Sequence, residues 1–176
     1  PSGDLLLLSD GSASLENHGC PGCPTDPARH RVEAISVLAK SLHGCAADWR
    51  IGLMEFGPRS SSGFTDSRML VDYTTDTGEV IAMSDSLGSD GGTPLWDSLS
   101  ESLDALARQL DGAEDDIWEP EGKGLVVLSD GEDTMSYTSV SQVVSLAQGY
   151  RIPVNVVALG ASSDLGDGYS SAAVSE

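Results

Sequence analysis

The feature that most constrains the fold is a set of short apolar runs that each end in polar, turn-forming residues. Four such runs occur, at residues 5–8, 51–56, 125–128 and 154–159. Each is continuous rather than alternating, which is the pattern of a strand buried on both faces in a helix-covered parallel sheet. These runs therefore predict the central strands of a parallel sheet.

Between the runs, apolar residues recur at the three- and four-residue spacing of a helix face. The spacing predicts three helices, whose apolar faces carry Val32, Ile35, Leu38, Ala39 and Leu42; Leu95, Leu99, Leu103, Leu106 and Leu110; and Val140, Val143, Val144 and Ala147. Residues 68–74 favour a short antiparallel edge strand, and residues 79–87 a short helix. Strands that alternate with helices indicate an α/β, doubly wound, mostly parallel sheet with helices on both faces.

Length and composition bound the domain organisation. The chain has 176 residues and 39% apolar content, enough for a single domain over residues 1–176. No apolar stretch is long enough to span a bilayer, so we expect no direct membrane insertion. We interpret two segments as insertions: a Cys-containing one at residues 16–27 and an acidic one at residues 111–122. The tail, residues 162–176, offers no closing strand, so we expect an incomplete C-terminal end. The sequence shows no initiator Met and no signal-peptide pattern, so we expect a chain that is processed or part of a larger protein.

The charge balance argues against nucleic-acid binding. Asp and Glu total 28 against 9 Lys and Arg, for a net charge of −19. Such a surface repels phosphate backbones and anionic lipid headgroups. The acidity serves either solubility or the attraction of cations, and composition alone favours solubility.

The three cysteines do not form a recognisable zinc site. Cys20 and Cys23 form a Cys-Pro-Gly-Cys element, which could be a redox pair, half of a zinc site or a local disulfide. No second Cys or His pair lies at a useful spacing, so a local disulfide and two free thiols both stay open. Cys45 follows Gly44, a predicted helix C-cap, and we expect it to be far from the pair and unpaired within this chain.

Three loops are rich in short, oxygen-bearing side chains, and each lies where functional groups gather in an open α/β sheet, or just before a helix. They read Asp10-Gly11-Ser12-Ala13-Ser14, Gly91-Gly92-Thr93-Pro94 and Ser129-Asp130-Gly131-Glu132-Asp133. Two carboxylates would balance a divalent ion, and the hydroxyls add neutral oxygen donors, as Mg²⁺ requires. Soft ligands are absent, which argues against zinc and copper. The loops predict a site for Mg²⁺, or for Mn²⁺ or Ca²⁺.

These three loops, in this order, resemble the metal-ion-dependent adhesion site of von Willebrand factor type A domains. The resemblance implies that Ser12 and Ser14 bind the metal directly and that Asp10 acts through water. It also implies that Thr93 binds directly in the ligand-bound state, and that Asp130 binds directly or through water. A Glu or Asp carboxylate of a partner protein would then fill the open coordination position.

The resemblance also sets expectations about the surroundings of the site. It implies a non-enzymatic adhesion module in an extracytoplasmic setting: secreted, cell-surface or periplasmic. Candidates for the ligand-binding surface are Gly11, Glu16, Gly92, Glu132 and Asp133. The sequence departs from the family in the insertion at residues 17–27 and in lacking a recognisable final helix, which puts conformational signalling through that helix in doubt.

Two other readings stay open at this stage. Asp10 could be the nucleophile of a phosphoryl-transfer or hydrolytic enzyme, with Mg²⁺ held by Asp130. Ser12 stands where such enzymes carry a second acid, which disfavours that reading. Alternatively, the chain could be a structural scaffold domain in a larger complex, in which a bound ion would only stabilise the fold.

Overall fold

The computed structural model describes residues 2–16, 24–45, 49–57, 67–108, 122–131 and 133–160. The elements in chain order are β1 (Gly3–Asp10), α1 (His30–Cys45), β2 (Trp49–Phe56), β3 (Arg68–Thr74), α2 (Thr77–Ser84), α3 (Leu95–Arg108), β4 (Gly122–Ser129), α4 (Val140–Tyr150) and β5 (Val154–Ala158). Among these described helices, none is both long and apolar enough to cross a membrane. The predictions for Cys20, Cys23, Leu110 and the tail lie outside the described residues.

The five strands form one sheet in the order β3-β2-β1-β4-β5. The central strand, β1, pairs in parallel with β2 and β4, and β4 pairs in parallel with β5. The strand β3 is antiparallel to β2 and lies at the edge. All eight residues of β1 are buried, which explains the continuous apolar run at residues 5–8 within it. The predicted fold class is confirmed, including the antiparallel edge strand.

Helices cover both faces of the sheet. Successive side chains of a strand point to opposite faces, and β1 divides its leucines accordingly. Leu5 and Leu7 join the core that includes apolar residues of α1 and α2. Leu6 and Leu8 join the core that includes apolar residues of α3 and α4. The sheet is therefore held rigidly between two helical layers.

The direction in which strands are added to the sheet reverses between β1 and β4. From β1 the chain adds β2 and then β3 on one side, and it later adds β4 and then β5 on the other. In open α/β sheets, ligands bind in the crevice at such a reversal, outside the carboxyl ends of the strands. Here those ends are Asp10 of β1 and Ser129 of β4, with Asp130 following directly.

Three predicted boundaries are wrong. Gly44 is not a C-cap, because α1 continues through it to Cys45. The helix α2 begins earlier than residue 79, because the Asp76 side chain accepts hydrogen bonds from the backbone N–H groups of Gly78 and Glu79 and so caps the first turn. Gly122 does not belong to the acidic insertion. It is the first residue of β4 and pairs with Gly3 of β1.

Candidate metal centre

Asp10 is the buried acidic group at the end of β1. Its Oδ2 accepts a hydrogen bond from the Ser129 hydroxyl over 2.6 Å, and its Oδ1 accepts one from the Ser12 backbone N–H over 2.8 Å. Burial raises the pKa of Asp10 to about 6; the Ser129 and Ser12 hydrogen bonds oppose this shift, and the charge of Asp130 adds to it. The site therefore holds a carboxylate whose negative charge is poorly solvated by the protein alone.

The hydroxyls of Ser12 and Ser14 form a short hydrogen-bonded chain that ends on Asp130. The Ser14 hydroxyl donates to Asp130 Oδ2 over 2.5 Å, and the two serine oxygens lie 3.0 Å apart. Because a hydroxyl has one hydrogen, Ser12 is the donor to Ser14. Each hydroxyl oxygen thereby keeps lone-pair capacity for a further electrophile.

Asp130 has one oxygen satisfied and one unsatisfied. Its Oδ2 accepts hydrogen bonds from Ser14 and from Thr25, the latter over 3.0 Å. Its Oδ1 is buried and has no hydrogen-bond partner among the described residues. A buried carboxylate oxygen without a partner is costly. This oxygen therefore indicates a place where a cation, or a water molecule bound to one, would be stabilised.

Thr93 is buried just before α3, and its loop contacts both of the other loops. Its backbone N–H donates to the Thr134 hydroxyl, and its carbonyl accepts from the Thr134 N–H, both over 3.0 Å. The carbonyl of Gly91 accepts from the Ala13 N–H over 3.1 Å. The three predicted loops thus meet at one end of the sheet.

Two glycines permit close packing of these loops. Gly11 is buried; its N–H donates to the Phe56 carbonyl over 2.7 Å, and its carbonyl accepts from the Asp90 N–H over 2.8 Å. A Cβ added at Gly92 would lie 2.2 Å from the sulfur of Met135. Gly92 is therefore the point where the Thr93 loop and the loop after β4 approach one another.

The acidic candidates for the ligand-binding surface are placed differently from Asp10 and Asp130. Glu16 pairs with the buried guanidinium of Arg31, so its charge is engaged within the protein. Asp133 accepts a hydrogen bond from the Ser136 hydroxyl over 2.6 Å. Glu132 lies outside the described residues.

Two further residues at this end of the sheet, Thr25 and Ser129, are not among the metal ligands that the sequence predicts. Ser129 had a signal, since Ser129-Asp130-Gly131 repeats Ser9-Asp10-Gly11 at the end of a neighbouring strand. Thr25 had none, because its position depends on how the insertion returns to the sheet.

The donor set fits a hard cation. Among the described residues, no group of three or more His, Cys, Asp and Glu side chains could hold a metal ion. A cation at this place would therefore depend on two carboxylates, neutral hydroxyls and water. That composition suits Mg²⁺ or Mn²⁺ rather than zinc.

Comparisons with known proteins point to one family. A sequence model of the von Willebrand factor type A domain matches residues 4–171. A comparison with curated protein sequences gave no match.

Solved structures share the fold. The SpRpn10 VWA domain aligns with a TM-score of 0.60 and 17% identity, covering 94% of this chain and 79% of that one. The vWF domain of the type V pili tip protein Mfa5 from Porphyromonas gingivalis aligns with a TM-score of 0.54 and 18% identity, covering 80% and 43%. A structure of three N-terminal domains of Mfa5 gives 0.55 and 17%, covering 80% and 22%. The chain thus spans less than half of the pilus-tip structures it matches.

Proposed function

The chain belongs to the von Willebrand factor type A domain family, and from this premise we propose that it is a divalent-cation-dependent protein-binding module. Domains of this family generally serve protein interaction and adhesion. The proposed ligand is a Glu or Asp carboxylate of a partner protein. The residues that would hold the cation are Asp10, Ser12, Ser14, Thr93 and Asp130.

The observation that carries the proposal is the state of the Asp130 carboxylate. Its Oδ2 accepts two hydroxyl hydrogen bonds, whereas its buried Oδ1 has no partner among the described residues. Asp10 lies across the same crevice with a raised pKa. The negative charges of these two carboxylates are therefore only partly offset by the hydrogen bonds described. This favours a cation between the strand ends.

The protein's own groups prepare this place for a cation. Ser14 directs its proton onto Asp130 and accepts one from Ser12, so one lone pair of its oxygen remains available to act as a ligand. Asp10 is fixed by Ser129 and by the Ser12 N–H, which suits a carboxylate that orients water rather than one that moves. When bound, Mg²⁺ or Mn²⁺ would supply a Lewis acid that attracts one more anionic oxygen.

The net charge of −19 makes a cation useful for binding an acidic ligand. Without one, the surface would repel a partner carboxylate. A divalent ion reverses the sign of the potential at one point only, so recognition becomes local and cation-dependent.

An enzyme that uses Asp10 as a nucleophile is disfavoured by the geometry. Both oxygens of Asp10 accept hydrogen bonds, and its side chain is fully buried. Such a group is not available for attack on a substrate. Family members are typically non-enzymatic interaction modules, in agreement with the adhesion proposal.

We further propose that the domain works outside the cytoplasm as part of a larger protein. The similarity to a pilus tip protein supports the first statement. The second is supported by coverage, since this chain aligns with only 22% and 43% of the two pilus-tip structures.

A peptide selected on the domain tests the proposed function. Short peptides displayed on phage are selected in Mg²⁺, and the best binder is measured in Mg²⁺, in chelator, and with its acidic residue changed to the amide. We expect a loss of about tenfold or more in the last two cases, about 1.4 kcal/mol or more. Full-strength binding in chelator would eliminate the proposal. Asp130→Asn and, as a matched exposed control, Asp72→Asn complete the series.

A further inference from the structure

We infer that the insertion after β1 contributes a positioning residue to the metal site, namely Thr25. The inference rests on the proposed function, because it concerns how Asp130 is held for the cation. Thr25 lies in the part of the insertion that the structure describes, close to the beginning of α1.

The contact of Thr25 with Asp130 is direct. Its hydroxyl oxygen lies 3.0 Å from Asp130 Oδ2, and 3.3 Å from the carbonyl oxygen of Ser14. A hydroxyl has one proton to donate, and the charged, nearer acceptor is the stronger one. Thr25 and Ser14 together therefore fix Oδ2, while Oδ1 has no partner within the described part of the chain.

The backbone keeps Thr25 next to the serine motif. The Thr25 N–H donates to the Ser14 carbonyl over 3.0 Å, and the Asp26 N–H donates to the Leu15 carbonyl over 2.8 Å. The returning end of the insertion thus lies alongside the residues that follow Ser12. Any displacement of Thr25 would also displace Ser14.

A buried arginine joins the two ends of the insertion. The side chain of Arg31 is fully buried; it donates to Asp26 over 2.7 Å and also pairs with Glu16. It donates further to the Gly88 carbonyl over 3.1 Å, which is in the segment that leads to Thr93. Through these contacts Arg31 connects Glu16, at the start of the insertion, with Asp26, the residue that follows Thr25.

The consequence is an Asp130 carboxylate oriented before a cation arrives. Without the Thr25 hydroxyl, Ser14 would be the only donor to Oδ2 among the described residues, and the carboxylate could rotate. Side chains that orient a ligand through a hydrogen bond typically contribute tenfold or more to metal affinity. Thr25, at the described end of the insertion, is therefore part of the site.

The test uses Mn²⁺ alone, measured by isothermal titration calorimetry, so that no partner is needed. Thr25→Val removes the hydroxyl at nearly constant shape, Thr25→Ala removes it in a smaller side chain, and Thr25→Ser keeps it. The matched control is Thr138→Val, because Thr138 also contacts a carboxylate: its backbone N–H donates to Asp97 over 2.8 Å, away from the metal site. Melting in chelator reports whether each variant is folded.

We expect Thr25→Val and Thr25→Ala to lower Mn²⁺ affinity about tenfold, with Thr25→Ser and Thr138→Val near the wild-type value. Equal affinity of wild type and Thr25→Val would overturn the inference and leave the proposed function standing, as would an equal loss in Thr25→Ser. Absence of Mn²⁺ binding by the wild type would instead overturn the proposed function and the inference with it.

Discussion

The hydroxyl of Ser129 donates a hydrogen bond to Oδ2 of Asp10 over 2.6 Å, joining the last residue of β4 to the last residue of β1. This bond, with the one from the Ser12 N–H, is not enough to offset the burial of the carboxylate, since the pKa of Asp10 is still raised to about 6. The charged, buried carboxylate of Asp10 therefore lowers the free energy of unfolding of the protein.

The first prediction concerns pH. Because the folded-state pKa of Asp10 is above its usual 3.8, the folded state binds the proton more tightly than the unfolded state. The favourable contribution is complete below about pH 4 and is lost as pH rises to about 6. In chelator, Asp10→Asn should therefore be more stable than the wild type above pH 6, by up to about 3 kcal/mol, and the difference should shrink towards pH 4.

Urea unfolding of both proteins across this pH range measures the difference directly. Asp72→Asn, at an exposed position on β3, is the control and should show a much smaller pH-dependent change. A constant difference in unfolding free energy between wild type and Asp10→Asn at all pH values would contradict the raised pKa of the buried Asp10 carboxyl group.

The second prediction concerns Arg31. Replacing it with Met removes the partner of Asp26, whose carboxylate is itself buried. Leaving one buried charge uncompensated costs about 3–5 kcal/mol, so the urea midpoint of Arg31→Met should fall sharply even in chelator. Lys40→Met, on the exposed face of the same helix, should change it little. Similar small effects of both variants would show that Arg31 does not anchor the insertion.

The third prediction contrasts two glycines. Gly57 has a φ of +137°, and a Cβ there would lie 3.0 Å from the carbonyl carbon of Gly11. Gly57→Ala should therefore lower the free energy of unfolding by about 2 kcal/mol. Gly44 lies in α1, with nothing within 4 Å of an added Cβ, and Gly44→Ala should raise stability by about 0.5 kcal/mol. Thermal melting of both variants checks the contrast, and a stabilising Gly57→Ala would be incompatible with it.

The sequence was sufficient for the strands and insufficient for some helix ends. Buried parallel strands leave a strong pattern, so β1 and β4 were located from their leucine- and valine-rich runs, and the edge strand β3 was placed at residues 68–74, as observed. The start of α2 was missed because the cap depends on the orientation of the Asp76 side chain. Gly44 was misread because a glycine near the end of a helix can lie inside it as well as cap it.

For the site, local motifs located the loops but not the contacts between them. Asp10 and Asp130 could be selected because each directly ends or follows a buried strand. Thr25 and Arg31 could not, since their roles arise from the fold of the insertion: Thr25 is 105 residues from Asp130 in sequence. Long-range hydrogen bonds of this kind leave no periodic signal along the chain.

The most direct test of the central claim is the position of Mn²⁺ in a crystal of the protein, located by its anomalous scattering. We predict one strong peak at metal–oxygen bonding distance from the hydroxyls of Ser12 and Ser14, between Asp10 and Asp130, that disappears in Asp130→Ala. A fully grown crystal soaked in Mn²⁺ with no peak between these strand ends, or with a peak unaffected by that substitution, would contradict it.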